Sequence, residues 1–328
     1  MILNIVTAFL VSSGLSLFLA RTQGRWQVLD VPNERSLHAH PTPRTGGIAL
    51  LAGLAAGLVT SRYLYGITPV DWPTAVATTL LAVVALIDDR HNLGAAPRLV
   101  VQIGVVLLLL LTSGILSQDI LDQLTALLFL VWMINLYNFM DGMDGFAGGM
   151  AVIGFSCFAV LANQAGNTEF ALGCALVAAA AAGFLLLNFP PARLFMGDTG
   201  STVLGLLAGL VILSAHTTGL LPVWLGMLVF SPFIVDASIT LARRLLRGER
   251  IWEAHKTHYY QILVELGWGH RRTVLAEYGL MLACSASALV AARLSTGWQT
   301  TIIAVWAVIY VTLLYRIHRA ERHRDMHS

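Results

Sequence analysis

Leu80-Leu81-Ala82-Val83-Val84-Ala85-Leu86-Ile87-Asp88-Asp89-Arg90 sets the reading of the whole chain. An unbroken apolar run ends on two adjacent carboxylates and then an arginine. A carboxylate at the centre of a bilayer costs about 2.5–3.5 kcal/mol on insertion scales. The cost is smaller at the end of a span, yet two neighbouring anions still repel, and such a pair commonly shares a cation or a proton. The plainer alternative is a solvated helix end closed by Arg90. Asp141, Asp144 and Asp198 also stand at the ends of long apolar runs, so the pair belongs to a set.

Hydrophobic residues make up 57% of the 328 residues and charged ones 12%, with a mean hydropathy of +0.73. Soluble domains carry about 25% charged residues. One soluble core cannot hide so much apolar surface, so the solvent is the membrane. The expected fold class is all-α, a polytopic integral membrane helix bundle, because helices satisfy their own backbone in lipid. A span needs about 20 apolar residues. Candidate runs fall at 2–20, 46–65, 73–88, 99–117, 121–140, 147–163, 169–188, 200–215, 220–242, 273–292 and 297–315, which gives about 10–11 transmembrane helices.

The loops set the orientation. Placing 21–45 in the cytoplasm puts 89–98, 141–146, 189–199, 243–272 and the tail 316–328 there too. Arg21, Arg25, Arg35, Arg44, Arg90, Arg98, Arg193, Arg243, Arg244, Arg247, Arg250, Lys256, Arg271, Arg272 and the tail arginines then lie inside, leaving Arg62 and Arg293 outside. That asymmetry is the positive-inside signature, with the N-terminus out and the C-terminus in. The inner loops are long and polar and the outer ones short and plain, so chemistry is expected inside. The first run lacks a basic segment ahead of it and reads as an uncleaved span. Cys157, Cys174 and Cys284 lie in apolar runs without metal-ligand spacing and read as small buried hydrophobes. No internal repeat of the kind found in many transporters is visible.

Asn135, Asn138, Asp141 and Asp144 recur at every third position. On a helix they form one polar stripe. A capping turn explains one Asp-Gly, not the series. Gly142 and Gly145 let the backbone leave the helix and approach a ligand closely. Farther on, Pro190-Pro191 stops one span, and Asp198 or Thr199 is placed to cap the next. A helix N-terminus there attracts phosphate. Asp198 is a lone carboxylate among small residues. It is the most Mg²⁺-like position in the chain, since that ion is usually held by one or two carboxylates plus substrate phosphates; an ordinary N-cap is the alternative.

The 243–272 loop follows a span containing Asp236. Its Arg243, Arg244, Arg247 and Arg250 read either as phosphate partners or as anchors near anionic lipid. His255 and His258, three apart, suit a metal or, lacking a third ligand, hydrogen bonds to phosphate or sugar. His38 and His40 are weaker candidates. Glu277 falls early in a span, where a carboxylate faces the bundle interior. Arg98 and Gln102, one helical turn apart, are placed to face one pocket.

Together these segments resemble the polyprenyl-phosphate N-acetylhexosamine-1-phosphate transferases, the integral-membrane family that includes the phospho-N-acetylmuramoyl-pentapeptide transferase. The matching stretches are Pro41-Thr42-Pro43-Arg44-Thr45-Gly46-Gly47, Asp88-Asp89, Asn135 to Gly149, Phe195-Met196-Gly197-Asp198-Thr199-Gly200-Ser201, Asp236 and the His255/His258 loop, in the family's order. The resemblance implies a single transmembrane catalytic domain over 1–328. It would move sugar-1-phosphate from a UDP-N-acetylhexosamine to a polyprenyl phosphate such as undecaprenyl phosphate, releasing UMP. Mg²⁺ is the implied cofactor, with Mn²⁺ as the alternative, and Asp198 its ligand. Asp88 and Asp89 are implied near the lipid phosphate, to take its proton, and Asp141 completes the catalytic set. Asp141 and Asp144 are implied to line the nucleotide pocket, with Phe195 stacked on uracil. Asn135, Asn138, Arg98, Asn188, Arg44, His255 and His258 are implied substrate contacts. A single displacement and a two-step route through an aspartyl-phosphate both fit. Membrane lipids are the surroundings, a homodimer is allowed, and no nucleic acid is expected.

The muramoyl-pentapeptide branch carries three adjacent histidines where this chain separates His255 from His258 by Lys256-Thr257. Asp30-Val31-Pro32-Asn33-Glu34-Arg35-Ser36-Leu37-His38 resembles the branch that starts surface polysaccharides such as O-antigen. A UDP-N-acetylhexosamine donor is therefore expected, in a bacterial inner membrane with the site on the cytoplasmic face. A phospho-N-acetylmuramoyl-pentapeptide transferase is the nearer alternative. A cation-coupled transporter is the alternative from another class, because intramembrane acids also line ion pathways. Against the transporter, the acids gather on one face, and Asp71, Asp119, Asp122 and Glu169 read as loop residues.

Overall fold

A computed structural model describes residues 1–22, 28–32, 37, 40–91, 93–114, 119–250 and 255–326. Arg25, Asn33 to Ser36 and His38 of the first inner loop lie outside the described residues, as do 251–254. The helices are α1 (Ile2–Arg21), α2 (Gly46–Tyr65), α3 (Trp72–His91), α4 (Ala95–Ser113), α5 (Ile120–Phe139), α6 (Phe146–Gln164), α7 (Thr168–Asn188), α8 (Asp198–Thr217), α9 (Val223–Val229), α10 (Ser231–Leu246), α11 (Tyr259–Leu263), α12 (Gly269–Ala291) and α13 (Thr296–Asp325). A two-residue antiparallel pair, β1 (Leu29–Asp30) and β2 (Thr42–Pro43), precedes α2. Among the described residues 10 helices are long and apolar enough to cross a membrane, or up to 11 if the bent pair α9–α10 is one span. The expected number of spans is borne out.

Small residues let the helices approach. α1 packs on α2 and α7, α6 on α7, and α5 and α3 on α8. At the α1–α7 crossing Ser12 Oγ donates to the Ala180 carbonyl at 2.6 Å. A Cβ added at Gly183 would stand 2.5 Å from the Phe9 carbonyl oxygen. Lipid supplies no hydrophobic drive between helices, so close packing and hydrogen bonds of this kind hold the bundle. α8 is the most enclosed of the spans and α13 the least.

Several expected boundaries move. The run 220–242 is not one straight span: α9 and α10 meet at 89°. Phe230 closes α9 and opens α10, and a proline occupies the first turn of α10, where its missing N–H costs nothing. α4 stops at Ser113, short of 117, with Gly114 in the left-handed region at φ 61. α12 starts at Gly269, ahead of 273, after a π-helical turn, Val264–Trp268. α13 runs on to Asp325, past 315. The polar stripe is split as well. α5 ends at Phe139, so Asn135 and Asn138 are helical while Asp141 and Asp144 lie in the turn before α6.

Gly183→Ala is expected to lower stability in detergent by about 1–3 kcal/mol, since backbone cannot make room cheaply. Gly104→Ala meets nothing within 4 Å and is expected to be neutral or to gain about 0.5–1 kcal/mol. Thermal unfolding followed by size-exclusion fluorescence compares the two.

Candidate active site

Helices running alternately up and down bring the C-terminal ends of α3, α5 and α7 beside the N-terminal ends of α2, α4, α6, α8 and α12. A cavity of ≈ 410 Å³ opens there, lined by residues from Asp30 to His270, including Arg44, Asp89, Arg98, Asn138, Asp141, Asp144, Asn188, Phe195 and Asp198. Asp30, Asp89, Asp141, Asp144 and Asp198 thus converge on it from four separate stretches, and Asp88 lines the smaller cavity beside it.

One wall is a backbone zip. The Phe195 N–H donates to the Pro43 carbonyl at 2.7 Å, and the N–H groups of Gly46 and Gly47 donate to the carbonyls of Phe195 and Met196, each at 2.8 Å. A Cβ at Gly47 would fall 2.3 Å from the Gly200 nitrogen, so only glycine permits this approach. Arg44, the residue after β2, donates to the Asp89 carbonyl and lies 4.0 Å from its carboxylate.

α8 begins differently from the sequence expectation. Neither Asp198 nor Thr199 caps it. The N-cap is Gly197, at φ 73 and without a side chain to offer. The carboxylate of Asp89, from α3, fills that place. It accepts the Asp198 N–H at 3.0 Å, the Thr199 N–H at 3.0 Å and the Thr199 hydroxyl at 2.7 Å. The phosphate-attracting end of α8 is therefore already taken by a carboxyl group of the protein.

Asp88 faces elsewhere. Its Oδ1 accepts the Leu93 N–H at 2.6 Å, and Arg98 bridges its Oδ2 at 3.0 Å to Asp198 Oδ2 at 2.9 Å. A second cavity, ≈ 20 Å³, touches these three residues and Asn138 and is otherwise walled mostly by Leu81, Val84, Ala85 and Val101. Asp88, Arg98 and Asp198 thus stand where a polar cavity meets an apolar flank.

The turn between α5 and α6 is bolted from several sides. Asn188 Oδ1 accepts the Gly145 N–H at 3.0 Å while its Nδ2 donates to the Leu194 carbonyl at 2.9 Å. Asp144 accepts the Ala192 N–H at 3.0 Å and the His270 ring at 3.2 Å, and His270 also reaches the Leu37 carbonyl at 3.2 Å. Both partners are acceptors, an arrangement that suits a ring with protons on both nitrogens. Tyr278 donates to the Gly145 carbonyl at 2.6 Å. The glycines here are approached by side chains: a Cβ at Gly142 would meet the Tyr260 hydroxyl at 2.1 Å.

Asn138 lines the large cavity and accepts the Ser201 hydroxyl at 2.7 Å. Other sequence candidates fall behind this wall. Asn135 donates to Gln102 at 2.6 Å and does not line the large cavity. Asp236 accepts the Tyr259 and Tyr260 N–H groups, each at 3.0 Å, and pairs with His258 at 3.1 Å. His258 is buried and, like His255, is not a lining residue; Gln261 and His270 are. His255 packs beside it, ring centroids 4.8 Å apart. Gln261 and His270 went unread in the sequence, His270 because a single histidine at the mouth of a span carries no spacing signal.

Asp141 stands apart. No hydrogen bond to its carboxylate is found among the described residues. Burial, with the nearby carboxylates of Asp198, Asp89 and Asp30, holds its pKa well above the ordinary carboxylate range. A divalent cation would relieve that crowding. The donors around Asp198 are hard oxygens, and among the described residues no set of three or more His, Cys, Asp or Glu side chains forms a complete cage. That chemistry fits a hydrated ion that takes one or two carboxylates and finishes its shell with phosphate.

Apolar helices around an acidic, arginine-flanked cavity at their common end make this a multi-pass membrane protein with a polar site at one end of its bundle. Comparison with known proteins defines it further. The glycosyl transferase family 4 model matches residues 72–216. A "Probable undecaprenyl-phosphate N-acetylglucosaminyl 1-phosphate transferase" of Bacillus subtilis (strain 168) is 29% identical, over 96% of this chain and 92% of that protein. A decaprenyl-phosphate N-acetylglucosaminephosphotransferase of Mycolicibacterium smegmatis is 30% identical, over 77% and 73%. A phospho-N-acetylmuramoyl-pentapeptide-transferase of Moorella thermoacetica is 29% identical, over 88% and 96%. The chain belongs to glycosyl transferase family 4, whose relatives here are transferases; the transporter alternative has no support among them.

Asn188→Asp is expected to destabilise the fold by about 1–3 kcal/mol, because it sets an acceptor against the buried Leu194 carbonyl. Asn188→Ala, which strands both backbone partners, is expected to cost at least as much. Denaturant or thermal unfolding of the purified variants checks the order.

Proposed function

We propose that this chain transfers N-acetylhexosamine-1-phosphate, N-acetylglucosamine-1-phosphate first among them, from a UDP-sugar to a polyprenyl phosphate with release of UMP. The reaction lies on the cytoplasmic face of a bacterial inner membrane, as the first membrane step of an O-antigen, another surface polysaccharide or a cell-wall glycan. The observation that carries this reading is Arg98, which bridges Asp88 to Asp198 and, with Asp198, lines both cavities. A water-soluble nucleotide and a lipid phosphate can meet only at such a boundary. The names of the relatives support the donor and acceptor classes.

In this proposal the donor pyrophosphate lies in the large cavity between Asp198, Arg98 and Arg44. Phosphoryl transfer depends mainly on positioning and charge neutralisation. Mg²⁺ or Mn²⁺ held at Asp198 would supply further positive charge to the pyrophosphate oxygens. Asp88 takes the acceptor's proton, and the acceptor phosphate oxygen bonds to the β-phosphorus as the bond to the UMP oxygen breaks. Phe195 and Asp144 flank the nucleotide, and Asp141 and Asn138 face the phosphates. Asn188 and Asn135 hold the walls. His258 braces the loop through Asp236, with His255 packed against its ring. The arginines along the inner loops anchor the same face at anionic lipid.

Asp198→Asn is expected to abolish UMP release while the protein stays monodisperse; full activity of that variant at limiting Mg²⁺ would remove the metal from Asp198. Asp88→Asn is expected to slow single-turnover transfer far more than it weakens donor binding, and the reverse pattern assigns Asp88 to the donor pocket. A screen of UDP-N-acetylhexosamines against UDP-N-acetylmuramoyl-pentapeptide, with the lipid product weighed by mass spectrometry, separates this reading from the muramoyl-pentapeptide branch.

A further inference from the structure

We infer that Asp89 is a positioning residue that caps α8 from a neighbouring helix and thereby aims Asp198, leaving proton transfer to Asp88 alone. The inference rests on Asp198 as the metal-holding carboxylate of the proposed reaction. The two adjacent aspartates look equivalent in the sequence, but their surroundings divide them.

Both oxygens of Asp89 are committed. Oδ1 takes the Asp198 N–H and Oδ2 takes the N–H and hydroxyl of Thr199, at 3.0, 3.0 and 2.7 Å. Its side chain is 2% exposed, with Arg44 beside it. With both oxygens held by backbone and hydroxyl donors at the start of α8, Asp89 cannot turn to an acceptor phosphate or an ion without releasing the helix end. Asp88 spends one oxygen on the Leu93 N–H and turns the other to Arg98 at the cavity junction.

The residue before Asp198 is shaped for this arrangement. Gly197 has φ 73, and a Cβ there would stand 2.5 Å from the Arg44 carbonyl oxygen and 3.0 and 3.1 Å from the two Asp89 oxygens. Any side chain would push the carboxylate off the helix end. The grip is on the backbone of Asp198 itself, so its loss rotates the ligand rather than removing it. Supporting groups around a metal site commonly change affinity by about 10–100-fold.

The test uses the full-length protein in detergent, with Mn²⁺ alone as the probe, read by electron paramagnetic resonance. Asp89→Asn is expected to weaken Mn²⁺ binding by about 10–100-fold, with turnover recovering as Mn²⁺ is raised. Thr199→Val, which removes one of the three bonds, is expected to shift affinity the same way by less and to remain folded where Asp89→Asn does not. Gly197→Ala should reproduce the affinity defect with Asp89 intact. Asp88→Asn should lose turnover that no Mn²⁺ concentration restores. Unchanged Mn²⁺ affinity in Asp89→Asn and Thr199→Val, whether melting temperature falls or not, overturns the inference, as does a turnover loss in Asp89→Asn that saturating Mn²⁺ leaves in place. A wild-type protein that binds no Mn²⁺ defeats the metal assignment at Asp198 instead, a distinct result.

Discussion

The carboxylate of Asp89 closes the N-terminus of α8 across a separation of 110 residues, and the geometry of the site depends on that closure. A helix leaves its first N–H groups without partners. Buried at the edge of a bilayer, each unsatisfied one costs about 1–3 kcal/mol. α8 supplies no capping side chain of its own, because Gly197 must be bare for the chain to turn. Its partner therefore comes from α3, and the bond that satisfies α8 also fixes α3 against it. Arg44 then ties Asp89 to the strand that zips onto Phe195 and Met196. Three distant stretches are locked by one carboxyl group.

The same logic sorts the other polar residues. Irregular backbone is tolerated at membrane depth only where protein satisfies it. Asp236 holds the start of α11 and Asp144 the Ala192 N–H, while Asn188 joins the α5–α6 turn to the segment between α7 and α8. These groups build the walls. Asp198 is different: its oxygens face Arg98 and the two cavities, with its side chain 28% exposed. Asp141, among the described residues, carries no hydrogen bond on its carboxylate. An acid with its oxygens uncommitted to backbone can give them to a substrate or an ion; one that holds two N–H groups cannot do so without undoing the fold.

This division explains what could be read in the sequence. Apolar length and the placing of arginines announced the spans, because lipid imposes length on each helix separately. The convergence of Asp88, Asp89, Asp141, Asp144 and Asp198 was legible as well, since alternating spans send every second end to the same side. Direction within a span was not. Hydropathy sums composition and cannot register the 89° bend at Phe230 to Ser231, which follows from where a proline and a helix start coincide. The three-residue spacing from Asn135 to Asp144 suggested one helical stripe, yet α5 ends after Phe139 and the two acids leave it. Asp88 and Asp89 could not be told apart, because their difference lies in N–H groups a hundred residues away. His270 had no local pattern at all; only the fold brings it to Asp144 and Leu37.

On the proposed reaction, the small cavity also limits how the acceptor can lie. At ≈ 20 Å³ it holds about one water, far too little for an isoprenoid chain. Beside it, Val83 and Ile87 of α3 and Leu99 and Val100 of α4 are 51%, 44%, 44% and 69% exposed. Those apolar side chains are exposed within spans, the surface a bilayer would cover. The long tail can therefore stay in hydrocarbon along α3 and α4, where it gives up no apolar contact, while only its phosphate passes inward to Asp88 and Arg98. Arg98 lies one turn into α4, its side chain 36% exposed, which places a cation at the rim where an incoming anion first leaves the headgroup layer. Specificity for the acceptor then rests on the phosphate and the first few carbons rather than on the whole chain.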